Sequence, residues 1–224
     1  MSIRFGTAGL SESYAARGYK NIQKVPEYLA SFGLNAFEYQ AGRGVRLAPA
    51  TAYILARDGE REGIRYSIHA PYYISMASME EDKRLASIRY LTQSAAVVRM
   101  LQGKRVIFHT GRAGTQSREE AMAKAQDTLR MALEALDSEG LGDVELCPET
   151  VGKMAQIGTL EEVLAFCKLD RRIIPCLDLG HLNARTQGAI KGKAEYAAIL
   201  DALEEALGDE RAGNFHVHFS KIEY

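Results

Sequence analysis

The chain has 224 residues, of which 46% are hydrophobic and 25% are charged, and its formal net charge is −1. These values are typical of a globular protein and allow one large hydrophobic core that needs no disulfide support. The near-neutral charge excludes a uniformly basic surface, so any basic patch for nucleic acid has to be local, and charge alone favours a small-molecule enzyme.

Short β-rich segments alternate with longer helical patterns along the chain. The predicted strands are residues 3–6, 36–39, 65–69, 105–109, 144–149, 173–178 and 214–219. The predicted helices lie between them, at residues 22–32, 50–61, 80–101, 118–138, 160–167 and 193–207. Strand–helix alternation at this spacing predicts parallel βαβ units and an α/β fold.

Two architectures fit this alternation, an open doubly wound sheet and a closed barrel. The first strand is not followed by GxGxxG, the strongest signal for a dinucleotide-binding open sheet. Consecutive units with polar residues at most strand ends favour a TIM (β/α)8-type barrel. Such a barrel has eight strands, whereas seven are predicted here. A barrel left open would expose the unpaired edges of its first and last strands. We therefore expect that residues 1–224 form a single barrel domain that lacks the eighth βα unit and is truncated at its C-terminus.

The three cysteines, Cys147, Cys167 and Cys176, are odd in number and lack CxxC spacing. This pattern argues against a secreted disulfide framework and predicts a cytoplasmic protein. Cys147 and Cys176 precede strand-end acids by two residues and point into the barrel, where apolar filling is favoured over zinc binding. We also expect no signal peptide and no membrane-spanning segment.

All five histidines lie in or just after predicted strands. They are His69, His109, His181, His216 and His218. Glu149 and Asp178 close the fifth and sixth strands. Because the parallel strands of a barrel end at one rim, we expect these side chains to converge. Imidazole and carboxylate groups together predict a divalent-metal site, to which zinc is suited and for which manganese or iron remain possible.

The number of candidate ligands exceeds what one zinc ion needs. The candidates are His69, His109, Glu149, Asp178, His181 and His216. This excess predicts a multinuclear site, in which Glu149 is the natural bridging carboxylate. His218 lies two residues beyond His216 and therefore faces the same side. It is open at this point whether His218 is a metal ligand, a phosphate contact or a core histidine.

Several segments together resemble the endonuclease IV family of xylose-isomerase-like barrels. They are residues 67–72 (SIHAPY), 106–111 (VIFHTG), 149–150 (ET), 176–181 (CLDLGH) and 216–221 (HVHFSK). The resemblance runs in order from residues 5–9 (FGTAG) to Lys221. It implies a zinc-dependent DNA-repair enzyme that cleaves the phosphodiester 5′ to an abasic site in double-stranded DNA. It also implies that the enzyme is a monomer.

The resemblance further implies roles for individual residues in a trinuclear zinc site. His69 and His109 look like ligands of one zinc ion, and Glu149 looks like the catalytic carboxylate that bridges it to a second. Asp178 and His216 look like ligands of that second ion.

The match departs from the family in three respects. His181 looks like a ligand of the third ion, but the family's other ligands of that ion, and a glutamate on strand eight, lie beyond Tyr224. His218 stands where better-known members have asparagine.

The resemblance also points to residues that contact DNA. Tyr72 matches a loop residue that inserts at the abasic site. Arg43 and Arg46 lie where the family has another DNA-contacting loop, although this loop departs from the family pattern and lacks its aromatic residue. Ordinary exposed loop residues are the alternative at all three positions.

Two other functions remain open from the sequence. A single-metal sugar isomerase or epimerase on the same barrel is supported by Glu38, because a glutamate that ends strand two is common among those relatives. The excess of ligands argues against it. A non-catalytic family member that binds damaged DNA is the other alternative.

Overall fold

The structure is a computed structural model and describes residues 3–220. The strands in these residues are Gly6–Ala8 (β1), Ala36–Gln40 (β2), Arg65–His69 (β3), Arg105–Phe108 (β4), Glu145–Pro148 (β5), Cys176–Asp178 (β6) and His216–His218 (β7). The α-helices in the same part of the chain are Glu12–Ala16 (α1), Val25–Ala30 (α2), Pro49–Glu62 (α3), Glu81–Met100 (α4), Arg118–Ser138 (α5), Leu160–Cys167 (α6), Leu179–Arg185 (α7) and Lys193–Leu207 (α8).

The strands follow one another in space in the order of the chain. β1 to β5 form a parallel sheet, β6 and β7 form a parallel pair, and the parallel bridge from Glu149 to Cys176 links the two groups. The series curves round on itself, so that its start and its end are close together. Glu38 on β2 lies 3.1 Å from both His216 and His218 on β7. This confirms the predicted α/β fold of the TIM-barrel type. The missing eighth unit and the single truncated domain stay predictions.

The sequence encodes the helix boundaries locally. Ser117 begins α5 with a capping box, in which its side chain and that of Glu120 each bond the other's backbone N–H. Thr159 and Glu162 begin α6 in the same way. Gly63 ends α3 in the left-handed conformation, with φ of 70°, which favours glycine. These signals fix where α5 and α6 begin and where α3 ends.

The first strand lies later than predicted. It covers Gly6–Ala8 rather than residues 3–6, and the side chains of Ile3 and Phe5 are 78% and 66% exposed. Gly6 pairs with Ala36, and a Cβ at Gly6 would lie only 1.8 Å from the Ala36 carbonyl oxygen. The strand therefore begins where the backbones approach so closely that only glycine fits.

Short helices account for most of the other differences. The predicted helix 22–32 is a 3-10 turn at Ile22–Lys24 followed by α2, which ends at Ala30. The helices α1 and α7 were not predicted, because a helix of one or two turns shows too little periodicity to be read from sequence.

The core has an outer part between strands and helices and a small inner part within the barrel. Ile107, Cys147, Ile174 and Cys176 form the inner cluster and are almost completely buried. The two cysteines therefore lie where the sequence placed them, and all three cysteines are free. No helix among residues 3–220 is long and apolar enough to cross a membrane.

Candidate metal centre

Glu149 lies at the centre of the histidine cluster. It directly follows β5 and is 1% exposed. Its Oε2 atom lies 3.0 Å from Nε2 of His69 and 2.9 Å from Nε2 of His109. Its Oε1 atom lies 2.9 Å from Nδ1 of His218 and 3.4 Å from Nδ1 of His181. One buried carboxylate thus faces four imidazoles from four different parts of the chain.

Asp178 forms the second acidic position, at the end of β6. Its Oδ2 atom lies 3.4 Å from Nδ1 of His181 and 3.9 Å from Nδ1 of His218. Its Oδ1 atom accepts a hydrogen bond from the His181 backbone N–H, which caps α7. Because α7 begins immediately after β6, this cap brings His181 to the rim. Burial raises the pKa of the Asp178 carboxyl.

Glu38 is the third carboxylate of the cluster and was not among the predicted site residues. It is 4% exposed, and its Oε2 atom lies 3.1 Å from Nε2 of His216. The Nε2 atom of His218 lies at the same distance of 3.1 Å from the Glu38 carboxylate. The signal that identifies Glu149 and Asp178, an acid near the end of a strand, applies to Glu38 as well.

All the predicted ligands therefore meet at one end of the barrel, but in two neighbouring groups. His69, His109 and His181 surround Glu149, whereas His216 contacts Glu38. His218 contacts both carboxylates through its two ring nitrogens. The assignment of particular residues to particular ions stays a prediction.

The charge balance of the cluster depends on histidine. Among the described residues, the ion-pair partners of Glu38, Glu149 and Asp178 are all histidines. Burial alone would raise the pKa of Glu38 and Glu149, but hydrogen bonds from the imidazoles hold both well below the usual range. Glu38 and Glu149 are thus negatively charged groups in a buried setting, which requires positive charge beside them.

Neutral histidines carry no positive charge, and the observed contacts of His69 and His218 do not suit a neutral ring. The ring of His69 has Nδ1 2.9 Å from the Ala70 carbonyl oxygen and Nε2 3.0 Å from Glu149. A neutral imidazole has one N–H, so when Nδ1 donates to the carbonyl, a lone pair on Nε2 faces the carboxylate. His218 has the same conflict between Glu149 and Glu38. A second proton or a cation between the groups resolves it.

These residues fit divalent metal ions. Metal-binding histidines usually donate their other N–H to a backbone carbonyl or a carboxylate, as Nδ1 of His69 does to Ala70 and Nδ1 of His181 to Thr150 at 3.0 Å. The ligand atoms of His69, His109 and Glu149 lie within 4.8 Å of one another. The same holds for Glu149, Asp178 and His218. The donor set of imidazole and carboxylate is typical of zinc.

The predicted DNA-contacting residues lie at the rim. The Tyr72 side chain is 62% exposed, and its ring centroid lies 5.7 Å from that of His69 and 6.0 Å from that of His109. Its backbone N–H donates to the Gly42 carbonyl at 3.2 Å, which joins it to the loop of Arg43. Arg43 and Arg46 lie in that loop, between β2 and α3. Lys221, the last residue of the segment that resembles the family, lies outside the described residues.

Comparison with known proteins identifies relatives over nearly the whole chain. The profile described as xylose isomerase-like TIM barrel matches residues 26–223. The uncharacterised protein MJ0133 of Methanocaldococcus jannaschii is 34% identical over 220 residues, which are 98% of this chain and 77% of that protein. "Probable endonuclease 4" of Malacoplasma penetrans is 30% identical over 121 residues, which are 52% of this chain and only 40% of that relative.

Solved structures of two enzyme classes share the fold. Endonuclease IV from Thermus thermophilus has a TM-score of 0.63 at 25% identity, over 87% of this chain and 70% of that one. D-psicose 3-epimerase from Clostridium cellulolyticum has a TM-score of 0.67 at 15% identity, over 90% of this chain and 68% of that one. At this identity the epimerase shows the fold alone.

Proposed function

The chain belongs to the xylose isomerase-like TIM barrel family, and from this premise we propose that it is a metal-dependent endonuclease that cleaves DNA 5′ to abasic sites. The proposal includes zinc as the metal, in two or three ions, with manganese or iron as alternatives. It also includes double-stranded DNA as the substrate and a monomeric, cytoplasmic protein.

The observation that carries the proposal is the number of imidazoles around the buried carboxylates. Four histidines face Glu149, and a further one faces Glu38. A single-metal isomerase site has no use for so many nitrogen ligands, whereas phosphodiester cleavage commonly uses several ions at one site. The sequence similarity to endonuclease 4 proteins supports the same function.

Each group has a distinct part in the proposed mechanism. His69, His109 and Glu149 would hold one ion, and Asp178, His181 and His216 would contribute to the others. Bound divalent ions supply Lewis-acid activation of water and neutralise charge on a phosphodiester. Glu149 keeps its charge through its imidazole partners, and so it can bridge ions. Tyr72 stands at the entrance, where it can fill the gap left by a missing base, and Arg43 and Arg46 can contact phosphates.

The sugar isomerase alternative depends on Glu38 acting as an acid–base group. A proton-transferring carboxylate has to be within hydrogen-bond reach of the substrate. The Glu38 carboxylate contacts the imidazole rings of His216 and His218. Its Oε1 atom accepts a further hydrogen bond from Gln40 at 2.8 Å. Its bonding capacity is thus directed to the protein, which favours the endonuclease.

A duplex oligonucleotide with one abasic site tests the proposal directly. The full chain encoded by its gene is chelated and then reloaded with zinc. We expect cutting 5′ to the site by the reloaded protein only. Glu149→Gln keeps the shape of the side chain but removes its charge, and we expect the rate to fall by at least about 100-fold.

Glu145→Gln is the matched control for this test. Glu145 is also a glutamate of β5, but it lies at the other end of the strand and pairs with Arg105 at 2.9 Å. This variant should cut at the rate of the wild type. If the zinc-loaded wild type cuts no abasic duplex, the endonuclease proposal is wrong, and sugar epimerisation becomes the assay of choice.

A further inference from the structure

We propose that Glu38 is a positioning residue of the metal centre. It holds one nitrogen of the His218 ring, so that the other nitrogen serves as a ligand of an ion at the strand-end carboxylates Glu149 and Asp178. This role deepens the proposed function and rests on the metal binding in it, but not on the DNA substrate. It can therefore be tested without measuring cleavage.

The two nitrogens of the His218 ring face different surroundings. Nε2 lies 3.1 Å from the Glu38 carboxylate. Nδ1 lies 2.9 Å from Oε1 of Glu149 and 3.9 Å from Oδ2 of Asp178. The ring thus connects a carboxylate of β2 with the acids at the ends of β5 and β6.

The Nδ1 side of the ring is the side that suits an ion. The ligand atoms of Glu149, Asp178 and His218 lie within 4.8 Å of one another. Among the described residues, Glu38 belongs to no such group. The thiol of Cys176 lies 4.0 Å from Nδ1, but a thiol is a weak and neutral donor that cannot balance two carboxylates. An ion-binding side and a hydrogen-bonding side of the ring are therefore distinct.

The contact with Glu38 decides which nitrogen of His218 is free for an ion. A neutral imidazole carries a single N–H. When Nε2 donates it to Glu38, the lone pair of Nδ1 points to Glu149, and a cation between the two makes this arrangement favourable. Metal-binding histidines usually donate their other N–H to a carboxylate or a backbone carbonyl in this way.

Two other histidines of the cluster show the same arrangement with backbone partners. Nδ1 of His69 and Nδ1 of His181 lie 2.9 and 3.0 Å from backbone carbonyl oxygens. In the described part of the chain, the ring nitrogens of His218 form hydrogen bonds with side chains only. Glu38 thus takes the place that a carbonyl has beside the other rings.

Glu38 is itself held firmly enough to orient a ring. It is buried on β2, opposite Ser67 of β3. Its Oε1 atom accepts a hydrogen bond from Gln40 at 2.8 Å, and its Oε2 atom accepts one from the Ser67 hydroxyl at 3.4 Å. Nε2 of His216 also lies 3.1 Å from Oε2. A carboxylate with these contacts has little freedom to follow the histidine, so the histidine adapts to it.

The first test is nuclear magnetic resonance of the zinc-loaded full chain with isotope-labelled histidine. Couplings between ring hydrogens and ring nitrogens distinguish a nitrogen that carries hydrogen from one that binds zinc. We expect hydrogen on Nε2 of His218 and zinc on its Nδ1. The signal that is lost in His218→Asn identifies this ring. Hydrogen on Nδ1, or a ring whose signals zinc leaves unchanged, would overturn the proposal.

The second test is competition for zinc between the chelated protein and a chelating dye. Glu38→Leu removes the acceptor at similar side-chain size, and we expect it to bind zinc about 10- to 100-fold more weakly. Glu38→Gln keeps an acceptor oxygen and should recover part of the loss. Glu145→Gln is again the matched control and should bind zinc like the wild type. Equal affinity of Glu38→Leu and the wild type overturns the proposal.

The outcomes separate the role of Glu38 from the proposed function. Circular dichroism in the presence of chelator shows whether Glu38→Leu folds, and if it does not, the resonance experiment on the wild type decides alone. A wild type that binds zinc but cuts no abasic duplex removes the endonuclease and leaves the role of Glu38 intact. A wild type that binds no zinc overturns both.

Discussion

At the scale of single residues, Tyr72 lies between the histidine cluster and solvent. Its ring lies beside those of His69 and His109, yet most of its surface is exposed. Gly42 lies beneath it, and a Cβ there would come within 2.6 Å of the Tyr72 ring. The ring is therefore held at the entrance by a glycine that leaves space for it. Such a placement suits stacking with a flanking base.

We predict that Tyr72→Ala weakens binding of a duplex with a tetrahydrofuran abasic analogue by about 5- to 150-fold, which corresponds to stacking of about 1–3 kcal/mol per base. Tyr72→Phe should bind like the wild type, because the ring and not the hydroxyl makes the contact. Fluorescence anisotropy at fixed salt measures both.

Tyr73→Ala provides the control for that measurement. Tyr73 is also an exposed tyrosine, at 56%, but its ring lies 5.8 Å from Tyr90 on α4 and packs there rather than on the histidines. Its replacement should leave the affinity unchanged. Equal losses in the two alanine variants would contradict a specific role for Tyr72.

At the scale of elements, the ends of the strands carry the site and the capping residues position the helices. Arg118 of α5 forms an ion pair with Glu162 of α6, and Glu162 also accepts hydrogen bonds from the backbone N–H groups of Gly158 and Thr159. The two helices and the loop that follows Glu149 are thus fastened through one carboxylate.

We predict that Glu162→Gln lowers the free energy of unfolding by about 1–2 kcal/mol at neutral pH. Burial alone would raise the pKa of Glu162, but Arg118 and the two backbone N–H groups lower it overall. A lowered folded-state pKa gives stability that is present above the unfolded value of about 4.3 and is lost as the pH falls. Denaturant unfolding should show the two proteins converging in acid. A difference that is undiminished at a pH below the lowered folded-state pKa of Glu162 would count against this explanation.

The sequence predicts those parts of the fold and site that depend on long, regular patterns. The helices α5 and α6 were predicted with the bounds that they have, because each starts with a capping box and shows a clear apolar face. β1 was misplaced because the exposed Phe5 reads as a strand residue, whereas the start is decided by a close contact between Gly6 and Ala36. Such a contact between distant segments has no local signature.

The same reasoning applies to the site. Strand-end placement was sufficient to bring together His69, His109 and Glu149, because parallel strands share one rim. The strand-end signal applies to Glu38 as well, but its contacts with His216 and His218 on β7 could not be predicted from it. Those contacts depend on how far the strand series curves, which is a property of the assembled barrel.

At the scale of the whole molecule, the candidate metal ligands lie where the carboxyl ends of the strands meet. Candidate ligands come from β3, β6 and β7 and from the segments after β4 and β5. The complete donor set exists only in the folded chain, so that metal binding at these residues would be coupled to folding. A ligand that binds the folded state alone stabilises it by about 2.7 kcal/mol at a concentration of 100 times its Kd.

We predict that zinc at such a concentration raises the Tm of the chelated protein by roughly 5–10 °C at pH 7.5, given about 2–4 °C per kcal/mol for a chain of this length. Differential scanning calorimetry measures the shift. Magnesium is the control ion and should have little effect, because it prefers oxygen ligands to imidazole.

The zinc-induced rise in Tm should depend on pH. As the pH rises, the chelated protein loses stability, whereas the stabilising effect of zinc grows. Burial alone would lower the pKa of His69 and His181, but Glu149 raises it overall. In the chelated protein, these histidines therefore contribute stability that is complete below the unfolded pKa of about 6.5 and is lost as the pH rises through the folded value. Zinc has to displace the same protons, so its stabilising effect grows with pH. A zinc-induced shift as large at about pH 5.5 as at about pH 7.5 would mean that zinc binds elsewhere than at these imidazoles.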